Sequence, residues 1–198
     1  MRWNYLISVL LVFAIFYFAA SFFGTPRAVL LEPTEVDQAL PFMAWTVWVY
    51  AITYVMLPLT FLLLRSVENL KKFTYAMVSA IILASGVFYW YPTLMKRPQI
   101  VDDGIAEGAL KLLHMVDPPT NCFPSLHVAM MVLMAFYLHK ESKGVGWFAW
   151  LLTLLVSVST MTTKQHYFVD VLGGVVVASL SVIIAAKLVK CPSREAVT

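Results

Sequence analysis

Residues 164–189 read KQHYFVDVLGGVVVASLSVIIAAKLV. Between Asp170 and Lys187 no residue carries a charge. The run from 168 to 189 therefore suits a hydrocarbon core about 30 Å thick, which takes about 20 apolar residues of helix. The same stretch opens on a polar cluster, so it carries a fold signal and a candidate site together. Hydropathy marks five more such runs, at roughly 5–23, 42–64, 73–91, 124–139 and 146–163. The expectation is an all-α bundle of six transmembrane helices, forming one integral membrane domain over residues 1–198.

Composition agrees. Of the 198 residues 61% are hydrophobic and 13% charged, far more apolar than the roughly 45–50% of a soluble domain. The net charge of +3 comes with no basic stripe interleaved with aromatics, so no nucleic-acid partner is expected. Cys122 and Cys191 lack the paired spacing of a zinc or redox motif. The tryptophans, Trp3, Trp45, Trp48, Trp90, Trp147 and Trp150, fall near span ends, where amphipathic rings anchor at headgroup level. Arg2 and Ala19-Ala20-Ser21 give the first run some features of a cleaved signal, but its apolar length favours a span.

Basic residues set the orientation. With six spans, one side carries Arg2, Arg65, Lys71, Lys72, Lys140, Lys143, Lys187, Lys190 and Arg194. The other carries Arg27, Lys96, Arg97, Lys111 and Lys164. The richer side is cytoplasmic and holds both termini. Cys122 and Cys191 then lie on opposite faces and cannot pair. The long loops, 24–41 and 92–123, are extracytoplasmic. Within the second, Ile105–Val116 has Glu107, Lys111 and His114 at helical spacing among leucines, which predicts a short helix in the interface with a Glu107–Lys111 pair. The small pairs Gly173-Gly174 and Ala178-Ser179 predict close helix packing on the last span.

Span interiors hold almost no ionisable residue, which argues against a midplane transport pathway. Three polar clusters instead share one depth at the extracytoplasmic ends: Lys96-Arg97-Pro98, Pro124-Ser125-Leu126-His127, and Thr162–His166 with Asp170. Ser125 and His127 occupy an opening helical turn, whose free N–H groups and dipole attract an anion such as phosphate. His127 there suits proton donation to a leaving oxygen, or plain interface packing. His166 and Asp170 stand one turn apart, so the carboxylate can hold one imidazole nitrogen and leave the other free to attack; capping alone is the competing reading. Arg97 offers a planar fork for phosphate and Lys164 a further charge, although each also suits a headgroup-level surface cation.

Taken in order, the clusters resemble the motifs of the type 2 phosphatidic acid phosphatase superfamily, over about Lys96 to Gly174. Arg97-Pro98 matches the end of its first motif and Pro124-Ser125-Leu126-His127 its Pro-Ser-Gly-His. Ser159, His166 and Asp170 match the third. The resemblance implies a six-span enzyme in which His166 forms a phosphohistidine, Asp170 orients it and His127 protonates the leaving group. Arg97, Ser125 and nearby N–H groups would hold the phosphate, with no metal and no cofactor. Trp90, Leu126 and Thr160 stand where the family has lysine, glycine and arginine; Lys96 and Lys164 are the candidates to replace the two cations. The strings FPSLHVA and TKQHYFVDVLGG look closest to the branch with inositol-phosphorylceramide synthases and related bacterial enzymes. The leading expectation is a membrane lipid-phosphate phosphatase at the extracytoplasmic leaflet, acting on a phosphatidate, phosphatidylglycerophosphate or polyprenyl diphosphate. A head-group phosphotransferase of the same fold is the alternative, and a non-catalytic membrane subunit or transporter the reading from another class.

Overall fold

The computed structural model describes residues 2–101, 103–117 and 119–189. Eight α-helices lie among them: α1 (Arg2–Gly24), α2 (Glu35–Ala39), α3 (Val47–Leu63), α4 (Val67–Trp90), α5 (Ile105–Val116), α6 (Leu126–Glu141), α7 (Lys143–Thr162) and α8 (Phe168–Leu188). Two short parallel strands, β1 (Val29–Leu30) and β2 (Thr93–Leu94), pair Val29 with Thr93 and Leu30 with Leu94. They tie the two long loops together, a link with no side-chain pattern to announce it. Cys191 lies outside the described residues, and Cys122 is a buried free thiol.

Five helices, α1, α3 with the 3-10 turn before it, α4, α7 and α8, are long and apolar enough to cross a membrane. The run expected at 124–139 forms α6, which has only sixteen residues, about 24 Å at 1.5 Å per residue. It is short because its first turn begins late. Pro124, expected in that turn, precedes it, and Ser125 is the N-cap, its Oγ accepting the Val128 N–H at 3.4 Å. α6 is also the most enclosed helix, packed against α3, α4, α7 and α8. Met131, Leu133, Met134 and Ala135 are fully buried there. At its far end Glu141 accepts the Ser66 N–H at 3.1 Å and the Asn69 side-chain amide at 2.7 Å, which levels it with the start of α4.

Glycine permits a close approach between α8 and α6. A Cβ on Gly174 would stand 2.5 Å from the Ser125 carbonyl oxygen. α8 thus lies directly on the turn that opens α6, and larger residues there would push the two apart. α5 forms over the predicted residues, with Leu110 and Leu113 packed on Ala44, Val47 and Tyr50. Lys111 pairs with Asp103 at 2.7 Å rather than with the predicted Glu107. That pair holds the Asp103 carboxyl below the usual carboxylate range.

Candidate active site

The turn between α7 and α8 is fixed from both sides. Gln165 and His166 N–H groups both donate to the Thr160 carbonyl, at 2.9 and 3.0 Å, closing the end of α7. The buried Asp37 carboxylate accepts the Phe168 N–H at 2.8 Å, satisfying an orphan donor at the start of α8. Its other oxygen accepts the Thr34 N–H and hydroxyl at 2.9 and 2.7 Å. Met43 N–H donates to the Thr162 carbonyl at 2.9 Å, so the 31–46 segment clasps this turn.

His166 is buried on that turn, with Nδ1 2.9 Å from the Cys122 carbonyl oxygen and 3.5 Å from Asp170 Oδ2. A carbonyl only accepts, so Nδ1 carries the proton and Nε2 holds the lone pair. Nε2 has no hydrogen bond among the described residues. Asp170 is fully buried, and its Oδ2 accepts the Tyr167 N–H at 2.8 Å, so it caps α8 as well as facing His166. The Cys122 carbonyl is itself held: Thr93 Oγ accepts the N–H groups of Cys122 and Phe123, at 3.1 and 2.9 Å.

His127, one residue into α6, stands across from His166 with ring centroids 5.8 Å apart, close enough for one tetrahedral anion to touch both rings. The Tyr50 hydroxyl is 2.7 Å from His127 Nε2, and that of Tyr54 3.4 Å. Arg97 lies beside them, its guanidinium donating to the Asp117 carbonyl at 2.6 Å and standing 4.0 Å from the Asp117 carboxylate. The Tyr17 hydroxyl of α1 donates to that carboxylate at 2.7 Å. Tyr17, Tyr54, Arg97, Asp117, His127 and His166 line one cavity of about 440 Å³. Two imidazoles, a guanidinium and a free ring nitrogen around one space are what nucleophilic attack on a phosphorus centre needs.

The family described as the PAP2 superfamily matches residues 34–184. The chain belongs to the PAP2 superfamily. It is also 30% identical over 95 residues to the uncharacterized protein MJ0662 of Methanocaldococcus jannaschii. That match covers 47% of this chain and 38% of the relative, so the chain spans well under half of that protein's length.

As a PAP2 member with five membrane-length helices, this is a multi-pass membrane protein. Its own geometry departs from the expectation at both lysines. Lys164 adopts φ +53° and donates through Nζ to the carbonyls of Asp37 and Leu40, at 2.9 and 2.7 Å. The ammonium thus caps the end of α2, where a helix dipole favours a cation, and Lys164 does not line the cavity. Lys96 is exposed and also outside the lining. Ser125 is buried as the α6 cap, with its N–H donating to the Asp170 carbonyl at 2.9 Å. Among the described residues no group of three or more His, Cys, Asp or Glu is placed to hold a metal ion.

Sequence reasoning missed Tyr17, Tyr50, Asp117, Thr93 and Asp37. Asp37 alone gave a usable sign, as an acid three residues after Thr34 in a capping box. His114, read as part of an interfacial stripe, lies 2.8 Å from the Gln165 side-chain amide beside His166. Burial, then the nearby Arg97 charge, push its pKa below that of a free histidine. Burial, then Asp170, push the Cys122 thiol up, so the contribution of Cys122 here is its backbone oxygen and not a thiolate.

Proposed function

We propose that this chain is an integral membrane lipid-phosphate phosphatase that works through a phosphohistidine on His166. The carrying observation is the His166 ring: Nδ1 is committed to the Cys122 carbonyl at 2.9 Å, leaving Nε2 as the nucleophile within reach of His127. In this reading Nε2 attacks phosphorus, the bond from phosphorus to the lipid oxygen breaks, and that oxygen takes a proton from His127. His127 then removes a proton from water, which attacks the phosphohistidine and releases inorganic phosphate and His166. Arg97 and the N–H groups opening α6 carry the phosphoryl charge. Asp170 stabilises the positive charge that His166 acquires. No step calls for a metal.

The chain forms one membrane domain over 1–198, with α6 as a sixth, enclosed crossing and both termini cytoplasmic. The distribution of basic residues supports this orientation, which puts the site at the extracytoplasmic leaflet. α5 lies in the interface: Ile105, Leu112, Met115 and Val116 are exposed while Leu110 and Leu113 face the protein.

Phosphate release by the purified protein from a panel of lipid phosphates, with EDTA present, tests the reading. His166→Ala should abolish release while leaving expression and detergent elution unchanged, and an acid-labile phosphoenzyme should be trapped on the wild type alone. Absence of turnover across the panel would leave a non-catalytic membrane subunit as the better account. The same phosphoenzyme passed to an alcohol gives a head-group phosphotransferase; thin-layer analysis with and without alcohols separates the two, since alcohol-independent phosphate release belongs to the phosphatase.

A further inference from the structure

The cavity that holds the histidines is mostly not polar. Beyond Arg97, Asp117, His127 and His166 it continues between α1, α3, α4 and α6, walled by Leu6, Val9, Phe13, Leu57, Ile81 and Met130. On α1 the lining positions 6, 9, 13 and 17 form one helical stripe, with Tyr17 at the polar end. From Tyr17 down to Leu6 is about 16 Å of helix at 1.5 Å per residue, about half of a 30 Å hydrocarbon core. The chamber is therefore one leaflet deep.

Its volume sets how much hydrocarbon it takes. An apolar cavity of about 150 Å³ accommodates a benzene ring, so the 440 Å³ here takes about three such rings, or about 18 heavy atoms, by the same measure. A phosphate group uses five of those, leaving about 13 carbons. One chain fills that space, and a second would lie outside it, along the exposed side at Leu10, Phe18 and Tyr54. The wall at Leu6, Val9 and Phe13 belongs to α1, which lies outside the 34–184 region shared with the PAP2 superfamily.

We infer that the substrate is a lipid phosphate with one long hydrocarbon chain, which stands in this chamber with its phosphate at His166, and that α1 sets the accepted length. The inference rests on the phosphatase reading and narrows its substrate class. A tail entering from bilayer or micelle exchanges one apolar surroundings for another, so the chamber selects by fit and not by greasiness.

The test uses the full chain in mixed micelles at fixed substrate mole fraction, with monoalkyl phosphates from 8 to 20 carbons and a two-chain phosphatidate of matched length. Phosphate release should peak at about 12–16 carbons, with the two-chain lipid at least tenfold slower. Val9→Trp should move the peak to shorter chains and Leu6→Ala to longer ones. A folding defect lowers all lengths together and does not move a peak, so opposite shifts identify the wall. Equal turnover of one- and two-chain lipids, or a peak that neither variant moves, overturns the inference and leaves the phosphatase reading standing. Silence of the wild type on every ester overturns both.

Discussion

With His166 as the proposed nucleophile, Asp170→Asn separates charge from orientation. Asp170 Oδ1 has no hydrogen-bond partner among the described residues, so the amide nitrogen can occupy that position while the amide oxygen keeps the Tyr167 N–H. The His166 Nδ1 proton stays on the Cys122 carbonyl, which is closer than the carboxylate, 2.9 against 3.5 Å. What is lost is a negative charge facing an imidazole that turns positive on phosphorylation. At 3.5 Å, and with an effective dielectric constant of about 20, two unit charges interact by about 4.7 kcal/mol. Spreading the positive charge over the ring reduces this to about 2–4 kcal/mol, or about 30- to 900-fold in rate. Where a carboxylate alone fixes the histidine tautomer, as in the serine proteases, the same change costs about 10⁴-fold. The expected result in single-turnover phosphate release is a kcat loss inside the smaller window, carried by phosphoenzyme formation, with KM nearly constant. A loss of 10⁴-fold or more would show that the Cys122 carbonyl does not hold the tautomer; a loss under about threefold would remove Asp170 from the chemistry.

Thr93→Val leaves two N–H groups, that of buried Cys122 and that of half-buried Phe123, without their acceptor. At about 1–3 kcal/mol for each unsatisfied donor, the melting temperature in detergent should fall and kcat should drop with it as the Cys122 carbonyl shifts; an unchanged kcat would uncouple that loop from His166. Lys164→Ala should lower thermal stability by about 1–3 kcal/mol through its lost charged hydrogen bonds, while KM for the phosphate ester stays within about twofold; a tenfold rise in KM with stability intact would return Lys164 to the phosphate. Gly174→Ala places a methyl 2.5 Å from the Ser125 carbonyl and should destabilise by about 1–3 kcal/mol; a thermal scan showing no change would mean that α8 is free to slide off α6.

The helices and the three clusters were legible because each depends on residue type at a local spacing: apolar runs, a histidine with an acid at i+4, a serine and a histidine close to a helix start. The Cys122 carbonyl was not, since every residue has one and only tertiary folding aims it. Tyr50 and Tyr54 sit in an apolar run where tyrosine reads as an ordinary span residue, and Tyr17 meets Asp117 a hundred residues away in sequence. The lysines misled for a related reason. A cation beside a histidine suits phosphate, but the left-handed backbone at Lys164 turns its side chain toward the end of α2, and nothing in the local sequence records that. Likewise the Glu107–Lys111 spacing permitted a pair, and Asp103 supplied a nearer one.

In the proposed lipid phosphatase, the shortness of α6 sets how far a substrate would travel to react. α6 and α4 start from a common level where Glu141 meets Ser66 and Asn69. With 16 residues against 24, α6 stops about 12 Å below the far end of α4. His127 therefore waits beneath the rim of the bundle. Raising a lipid until its phosphate cleared the rim would expose hydrocarbon to water at about 0.8 kcal/mol per methylene, or about 4 kcal/mol for every five carbons. In the proposed phosphatase, a floor sunk by two helical turns would let the ester bond be cut while the tail stays submerged.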